Sequence, residues 1–281
     1  MNRGAVLGGG TMGLGIAYVM AQAGAKVWVV EPDEGRADQM WKAIGDAADG
    51  AVKRGKMTTN QASDLTARVI RVTEVDGLAE GLDLIVESVP ERFDLKRAVL
   101  YAAAERNPAL LATNTSAMSI DRLAAGLPQP DRFIGMHFFN PVWSLKLVEL
   151  VQGTATSDET IAAARAIAAW MGKEALLVRD VPGFATSRLD LIASLEAMRM
   201  LESGVASAED IDRAAVLAYR HPVGPLRLSD IVGLDVRLDI ARTLEAAHGA
   251  RFAPPAILEK MVSEGKLGAK SGQGFFTWPE A

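Results

Sequence analysis

Ala5-Val6-Leu7-Gly8-Gly9-Gly10-Thr11-Met12-Gly13-Leu14-Gly15 decides how the rest of the chain is read. Gly8, Gly10 and Gly13 fit the spacing G-x-G-x-x-G. An apolar strand candidate precedes them, and a small-residue helix candidate over Thr11 to Gln22 follows. Each glycine has a physical task in a dinucleotide site. Gly8 turns the backbone sharply out of the strand. Gly10, without a Cβ, lets a pyrophosphate approach the main chain. Gly13 lets the helix pack closely. Thr11 and Met12 open the helix, whose free N–H groups and positive dipole end favour phosphate.

A second strand, Lys26 to Val30, ends at Glu31, eighteen residues after Gly13. An acid there accepts hydrogen bonds from ribose hydroxyls and repels a 2′-phosphate. We therefore expect NAD rather than NADP as cofactor, with Arg36 as a solvated helix residue.

Composition bounds the alternatives. The chain has 281 residues, 49% hydrophobic, enough for one large or two ordinary domains. A net charge of −5 argues against nonspecific nucleic-acid binding. The absence of cysteine excludes disulfides, thiolate catalysis and Cys-type metal sites, and it fits a cytoplasmic location. No metal is expected. Glycines interrupt the apolar run between Arg3 and Ala25, and cleavage near Ala23 would destroy the fingerprint, so no leader peptide is expected. No stretch of about twenty apolar residues offers a membrane span.

Further along, a helix over Asp33 to Arg54 closes on Lys53, Arg54 and Lys56. Strand candidates at Val69–Val72, Leu82–Val86, Leu110–Thr113, Phe133–Phe138, Lys146–Leu150 and Glu174–Val178 alternate with helical patterns. Alternation to about residue 180 predicts a doubly wound, mostly parallel sheet of the Rossmann type. Ligands in such sheets sit beyond the carboxyl ends of the strands. Glu31, Glu91, Ser116 and His137 all follow strand candidates, so they are expected to converge on one crevice. After Asp180-Val181-Pro182-Gly183-Phe184 the pattern becomes helical: Ser187–Ser203, Ala208–Ala218, Leu228–Ala247 and Pro255–Glu264. We expect domains at 1–182 and 183–281, the second all-α. Leu189, Ile192, Leu195, Met198 and Leu201 form a stripe at helical spacing, read as core or dimer seam.

Of three histidines, His221 and His248 read as turn and helix-end residues. His137 ends an apolar strand, and Glu149 lies in the next one among Leu147, Val148, Leu150 and Val151. A carboxylate in such a strand needs a partner, because an unpaired buried charge is costly. A neighbouring imidazole N–H provides one and fixes the His137 tautomer. Beside a nicotinamide, such a pair suits alcohol oxidation, with imidazole taking the hydroxyl proton. Ser116 would serve the reacting oxygen, and Asn114 or Asn140 would orient the nicotinamide amide.

These residues resemble the L-3-hydroxyacyl-CoA dehydrogenases. The resemblance runs in order through Gly8–Gly13, Glu31, Val89-Pro90-Glu91 with Lys96, Asn114-Thr115-Ser116, His137-Phe138-Phe139-Asn140-Pro141 and Leu147-Val148-Glu149. It continues through Pro182-Gly183-Phe184, Pro222-Val223-Gly224-Pro225, Val232-Gly233-Leu234-Asp235 and Lys270-Ser271-Gly272-Gln273-Gly274-Phe275. The length looks like the bacterial 3-hydroxybutyryl-CoA dehydrogenases. The resemblance implies that His137 is the catalytic base, Glu149 its orienting partner and Ser116 a substrate contact. Glu91, Lys96, Asn140 and Lys270 are implied as cofactor contacts, with Arg54 near the CoA tail. It also implies an acyl-CoA substrate, a homodimer built through the helical domain, and an active site in the interdomain cleft. There is a departure: the family's asparagine five residues past the Pro-Gly-Phe proline is Ser187 here. Ala47 stands where the family has a serine, and the bulk of Trp143 could narrow the acyl pocket. These changes keep two alternatives open: a dehydrogenase of a non-CoA hydroxy acid, and an NAD-binding dimer with reduced or lost turnover.

Overall fold

The computed structural model describes residues 1–279, which fall into two compact units, Met1–Val181 and a second from Pro182 on. The first contains, in order, β1 (Arg3–Leu7), α1 (Thr11–Gln22), β2 (Lys26–Val30), α2 (Glu34–Lys53), α3 (Thr59–Ala67) and β3 (Val69–Val72). It continues with β4 (Leu84–Glu87), α4 (Phe93–Ala104), β5 (Leu111–Thr113), α5 (Ile120–Ala124), β6 (Phe133–Phe138), β7 (Leu147–Gln152), α6 (Asp158–Trp170) and β8 (Glu174–Arg179).

The eight strands form one sheet in the order β3-β2-β1-β4-β5-β6-β7-β8. Every neighbouring pair is parallel except β6 and β7. The central strands β1, β4, β5 and β6 are buried almost throughout, as strands covered on both faces must be. The order reverses direction at β1, where β2 lies on one side and β4 on the other. That reversal opens the crevice in which open α/β sheets bind ligands. α1 is buried from Gly13 to Ala21, which is why its residues are small or apolar all round rather than amphipathic.

The antiparallel β6–β7 pair has a direct consequence. Its register sets His137 opposite Glu149, so the two side chains share one face of the sheet. Strand β7 begins and ends later than its apolar pattern predicted, and Glu149 falls inside it in both readings.

The second unit is helical: α7 (Thr186–Glu202), α8 (Ala208–Tyr219), α9 (Pro225–Val232), α10 (Leu234–His248) and α11 (Ala256–Ser263). Ser207 caps α8 by accepting from Asp210 N at 3.1 Å, as a serine before two acids should. The single helix expected over Leu228–Ala247 is two helices. Gly233, at φ +104, breaks it, a conformation that a residue with a Cβ rarely adopts. The apolar stripe on α7 also divides. Leu195 and Met198 are buried in the helical core, Ile192 and Leu201 pack against it, and Leu189 is exposed. No helix among the described residues is long and apolar enough to cross a membrane.

Candidate active site

A cavity of about 1000 Å³ lies at the carboxyl ends of the strands in the first unit. Gly8, Gly10, Thr11, Met12, Glu31, Glu91, Lys96, Asn114, Ser116 and His137 all line it. The four strand-end residues expected to converge thus share one wall system, although 106 positions separate Glu31 from His137.

The glycines divide their tasks. Gly8 has φ +104, and a Cβ there would lie 2.8 Å from the Ser88 carbonyl oxygen. A Cβ on Gly13 would lie 1.9 Å from the Gly8 carbonyl oxygen, so α1 meets the turn itself. At Gly10 a Cβ would meet nothing within 4 Å. That open cradle, at a helix N-terminus with no side-chain cap, suits a pyrophosphate.

Glu31 ends β2 and is 4% exposed. Its carboxylate accepts from Gly9 N (3.1 Å), Asp33 N (3.0 Å) and Arg36 Nε (3.1 Å). Burial works to raise its pKa, but the Arg36 and backbone hydrogen bonds and the Arg36 charge prevail and hold it below the ordinary glutamate value. Arg36 is therefore not merely solvated. It pairs with Glu31 at 3.0 Å and lines the cavity.

His137 is 8% exposed and Glu149 fully buried. Nδ1 of the imidazole stands 2.8 Å from Glu149 Oε2. An ionised carboxylate only accepts, so Nδ1 is the donor in this bond and Nε2 is the ring nitrogen left for a substrate. Asn114 supports this wall: its Oδ1 accepts from Phe138 N at 2.8 Å, joining the end of β5 to the end of β6.

A second buried network lies on the opposite side of Asn114. Glu87, at the end of β4, is fully buried and meets Lys96 Nζ at 2.8 Å. It also accepts from Val89 N (2.7 Å) and Thr113 Oγ1 (2.5 Å). Burial raises the Glu87 pKa, with Lys96 and these hydrogen bonds opposing it. Glu91 accepts from Ser116 N (3.3 Å) and from the Thr115 hydroxyl. The strand expected over Leu82–Val86 stops one residue short of Glu87, and no role was expected for that residue. The signal was present: an acid in the apolar run Leu84-Ile85-Val86 has the same need for a partner as Glu149.

Other expected residues lie elsewhere. Asn140 is exposed just past β6 and does not line the cavity. Arg54 lines a separate depression with Tyr18, Lys56 and Trp143. Trp143 packs there against Tyr18, ring centroids 5.5 Å apart, so it does not narrow the space around His137. Ala47 packs against the core. Ser187 is half-buried in the first turn of α7, and Lys270 is exposed with its Nζ 2.6 Å from Asp235, both in the helical unit.

With this geometry established, comparison with known proteins is direct. The family described as 3-hydroxyacyl-CoA dehydrogenase, NAD binding domain, matches residues 4–181, and the C-terminal domain of the same family matches residues 183–278. A 3-hydroxybutyryl-CoA dehydrogenase of Mycobacterium tuberculosis is 39% identical over 279 residues, 97% of either chain. A probable 3-hydroxybutyryl-CoA dehydrogenase of Bacillus subtilis is 37% identical, covering 98% of this chain and 96% of that one. The crystal structure of an (S)-3-hydroxybutyryl-CoA dehydrogenase from Ralstonia eutropha superposes with a TM-score of 0.95 at 35% identity, covering all of both chains. The chain belongs to the 3-hydroxyacyl-CoA dehydrogenase family, and its first unit is that family's NAD-binding domain.

Proposed function

We propose that this protein oxidises short- or medium-chain (S)-3-hydroxyacyl-CoA to 3-oxoacyl-CoA, with His137 as general base and Glu149 as its orienting partner. The observation that carries the reading is the buried 2.8 Å His137–Glu149 pair on the wall of the glycine-lined cavity. Gly8, Gly10, Thr11, Met12, Gly13 and Glu31 hold the dinucleotide, and bound NAD supplies the hydride acceptor. His137 Nε2 receives the substrate hydroxyl proton, and the Glu149 carboxylate stabilises the imidazolium that results. The Ser116 hydroxyl donates to the reacting oxygen. Asn114 orients the nicotinamide amide, Glu91 and Lys96 contact the cofactor from the cavity wall, and Asn140 joins them by its correspondence with the family alone. Lys270 and Ser187 serve cofactor and substrate by their correspondence with the family, and Arg54 meets the CoA tail. The helical unit forms a homodimer, which the exposure of Leu189 (71%), Leu217 (71%) and Ile231 (54%) supports.

NADH absorbance on a substrate panel tests the reading. We expect kcat/KM for (S)-3-hydroxybutyryl-CoA to exceed that for free (S)-3-hydroxybutyrate by about 10²-fold or more, since remote binding energy assists the chemical step. Equal use of both would favour a non-CoA hydroxy acid. No turnover across the panel, with NAD still bound, would mark a binding protein. Ser187→Asn is expected to raise kcat/KM on acyl-CoA; unchanged kinetics would show that this position does not limit the reaction.

A further inference from the structure

Lys96 lines the cavity, and its ammonium donates to Glu87 Oε1 at 2.8 Å and to Val89 O at 3.0 Å. It also forms an ion pair with Glu91 Oε2 at 3.1 Å. The side chain of Glu91 is 40% exposed, whereas those of Lys96 and Glu87 are 1% and 0% exposed. Of the three, Glu91 is the one presented to a ligand.

Glu87 itself does not line the cavity. It is rooted in the sheet, where register pairs it with Thr113, and the Thr113 hydroxyl fixes its second oxygen. From this root the contacts run outward in one direction: Glu87 to Lys96, Lys96 to Glu91, and Glu91 to the Thr115 hydroxyl and Ser116 N. The last member carries the serine at the cavity wall.

We propose that Glu87 is a positioning residue for this site, fixing Lys96 so that Lys96 holds Glu91, and through it the Ser116 loop, against the cavity. This rests on the dehydrogenase reading for its purpose. The physical logic is a division of one cation between two acids. With Glu87 charged, the Lys96 ammonium is shared, and Glu91 keeps its other oxygen for Thr115 and Ser116. With Glu87 neutral, Lys96 has Glu91 as its sole counter-ion and draws it inward, away from the loop and the ligand.

The test measures NADH binding by fluorescence in Glu87→Gln, Glu91→Gln and the double variant, with turnover on (S)-3-hydroxybutyryl-CoA alongside. Glu87→Gln is expected to weaken NADH binding about tenfold, but less than about threefold when Glu91 is already Gln, because coupled residues are not additive. A purely structural role lowers the melting temperature without that dependence on Glu91. Thr113→Val, which removes the bond to Glu87 and the 3.3 Å acceptor of Thr115 N but no charge, is expected to act in the same direction by about threefold. NADH affinity within about twofold of wild type in Glu87→Gln overturns the inference, as do effects that simply multiply. If both Glu87→Gln and Thr113→Val fail to fold, the network serves stability alone and the inference falls. Absence of wild-type turnover beside the coupled NADH effect would instead reject the substrate reading and leave the positioning role standing.

Discussion

Buried acids appear in both units, and they do different work. In the first unit Glu31, Glu87 and Glu149 sit at or near strand ends on or behind the cavity wall, each beside a basic side chain: Arg36, Lys96 and His137. In the helical unit Asp230 is fully buried and accepts from Phe275 N, Phe276 N and Trp278 Nε1, each at 2.9 Å. Asp212 accepts from Leu226 N and Arg227 N at the start of α9. Its pKa is raised by burial, against those hydrogen bonds. These aspartates stitch chain to chain by neutral backbone and indole donors. The lesson is that burial of an acid says little about function. A basic partner together with a place where strands end on a cavity says more.

The contrast breaks most readily at Glu149. Glu149→Gln keeps the shape but removes the charge that supports a protonated His137, so kcat should fall about 10²–10³-fold. NADH affinity should change little, and steady-state kinetics with fluorescence titration separate the two. Asp230→Ala should do the reverse. One buried and two partly buried donors lose their acceptor, which costs about 2–4 kcal/mol of stability. Denaturant unfolding should show this, while kcat falls far less than in Glu149→Gln, because every residue that lines the cavity is in the first unit.

A smaller effect tests the turn. In Gly13→Ala the new Cβ must move away from the Gly8 carbonyl, where the present spacing is 1.9 Å. Overpacking of this kind costs about 1–3 kcal/mol, and NAD affinity should fall with the melting temperature. The smallest concerns Glu31. Glu31→Gln frees Arg36 toward a 2′-phosphate and should narrow the NAD-over-NADP preference about tenfold, read from kcat/KM for each cofactor. It also has a pH signature. The folded pKa lies below the ordinary glutamate value, so between the two the unfolded chain binds more protons. The stability from Glu31 is therefore present above the ordinary value and lost as pH falls through the folded one. Wild type should lose its melting-temperature advantage over Glu31→Gln only in that acid range.

How much was legible follows from the same physics. The strand–glycine–helix spacing and the alternation after it are local patterns, and they were enough for the sheet and for strand ends meeting at one cavity. Glu149 was legible as a partner for His137 because an acid among Leu147, Val148 and Leu150 has few other ways to be satisfied. Glu87 carried the same signal but fell just outside the expected strand Leu82–Val86, and its partner Lys96 is nine residues away on a helix. Arg36 reaches back to Glu31 across the first turn of α2, a direction periodicity does not encode. The break at Gly233 was hidden because apolar spacing continues on both sides of it. Trp143 turns toward Tyr18 through a loop, where pattern carries no directional information.

In the proposed reaction one imidazole takes the proton during oxidation of a 3-hydroxyacyl-CoA. The most direct test is turnover of (S)-3-hydroxybutyryl-CoA by His137→Gln, with NADH affinity measured on the same sample. The expected loss in kcat is about 10³-fold, with NADH affinity within about twofold of wild type. A kcat within about threefold of wild type would contradict it, because another group would then be receiving the proton.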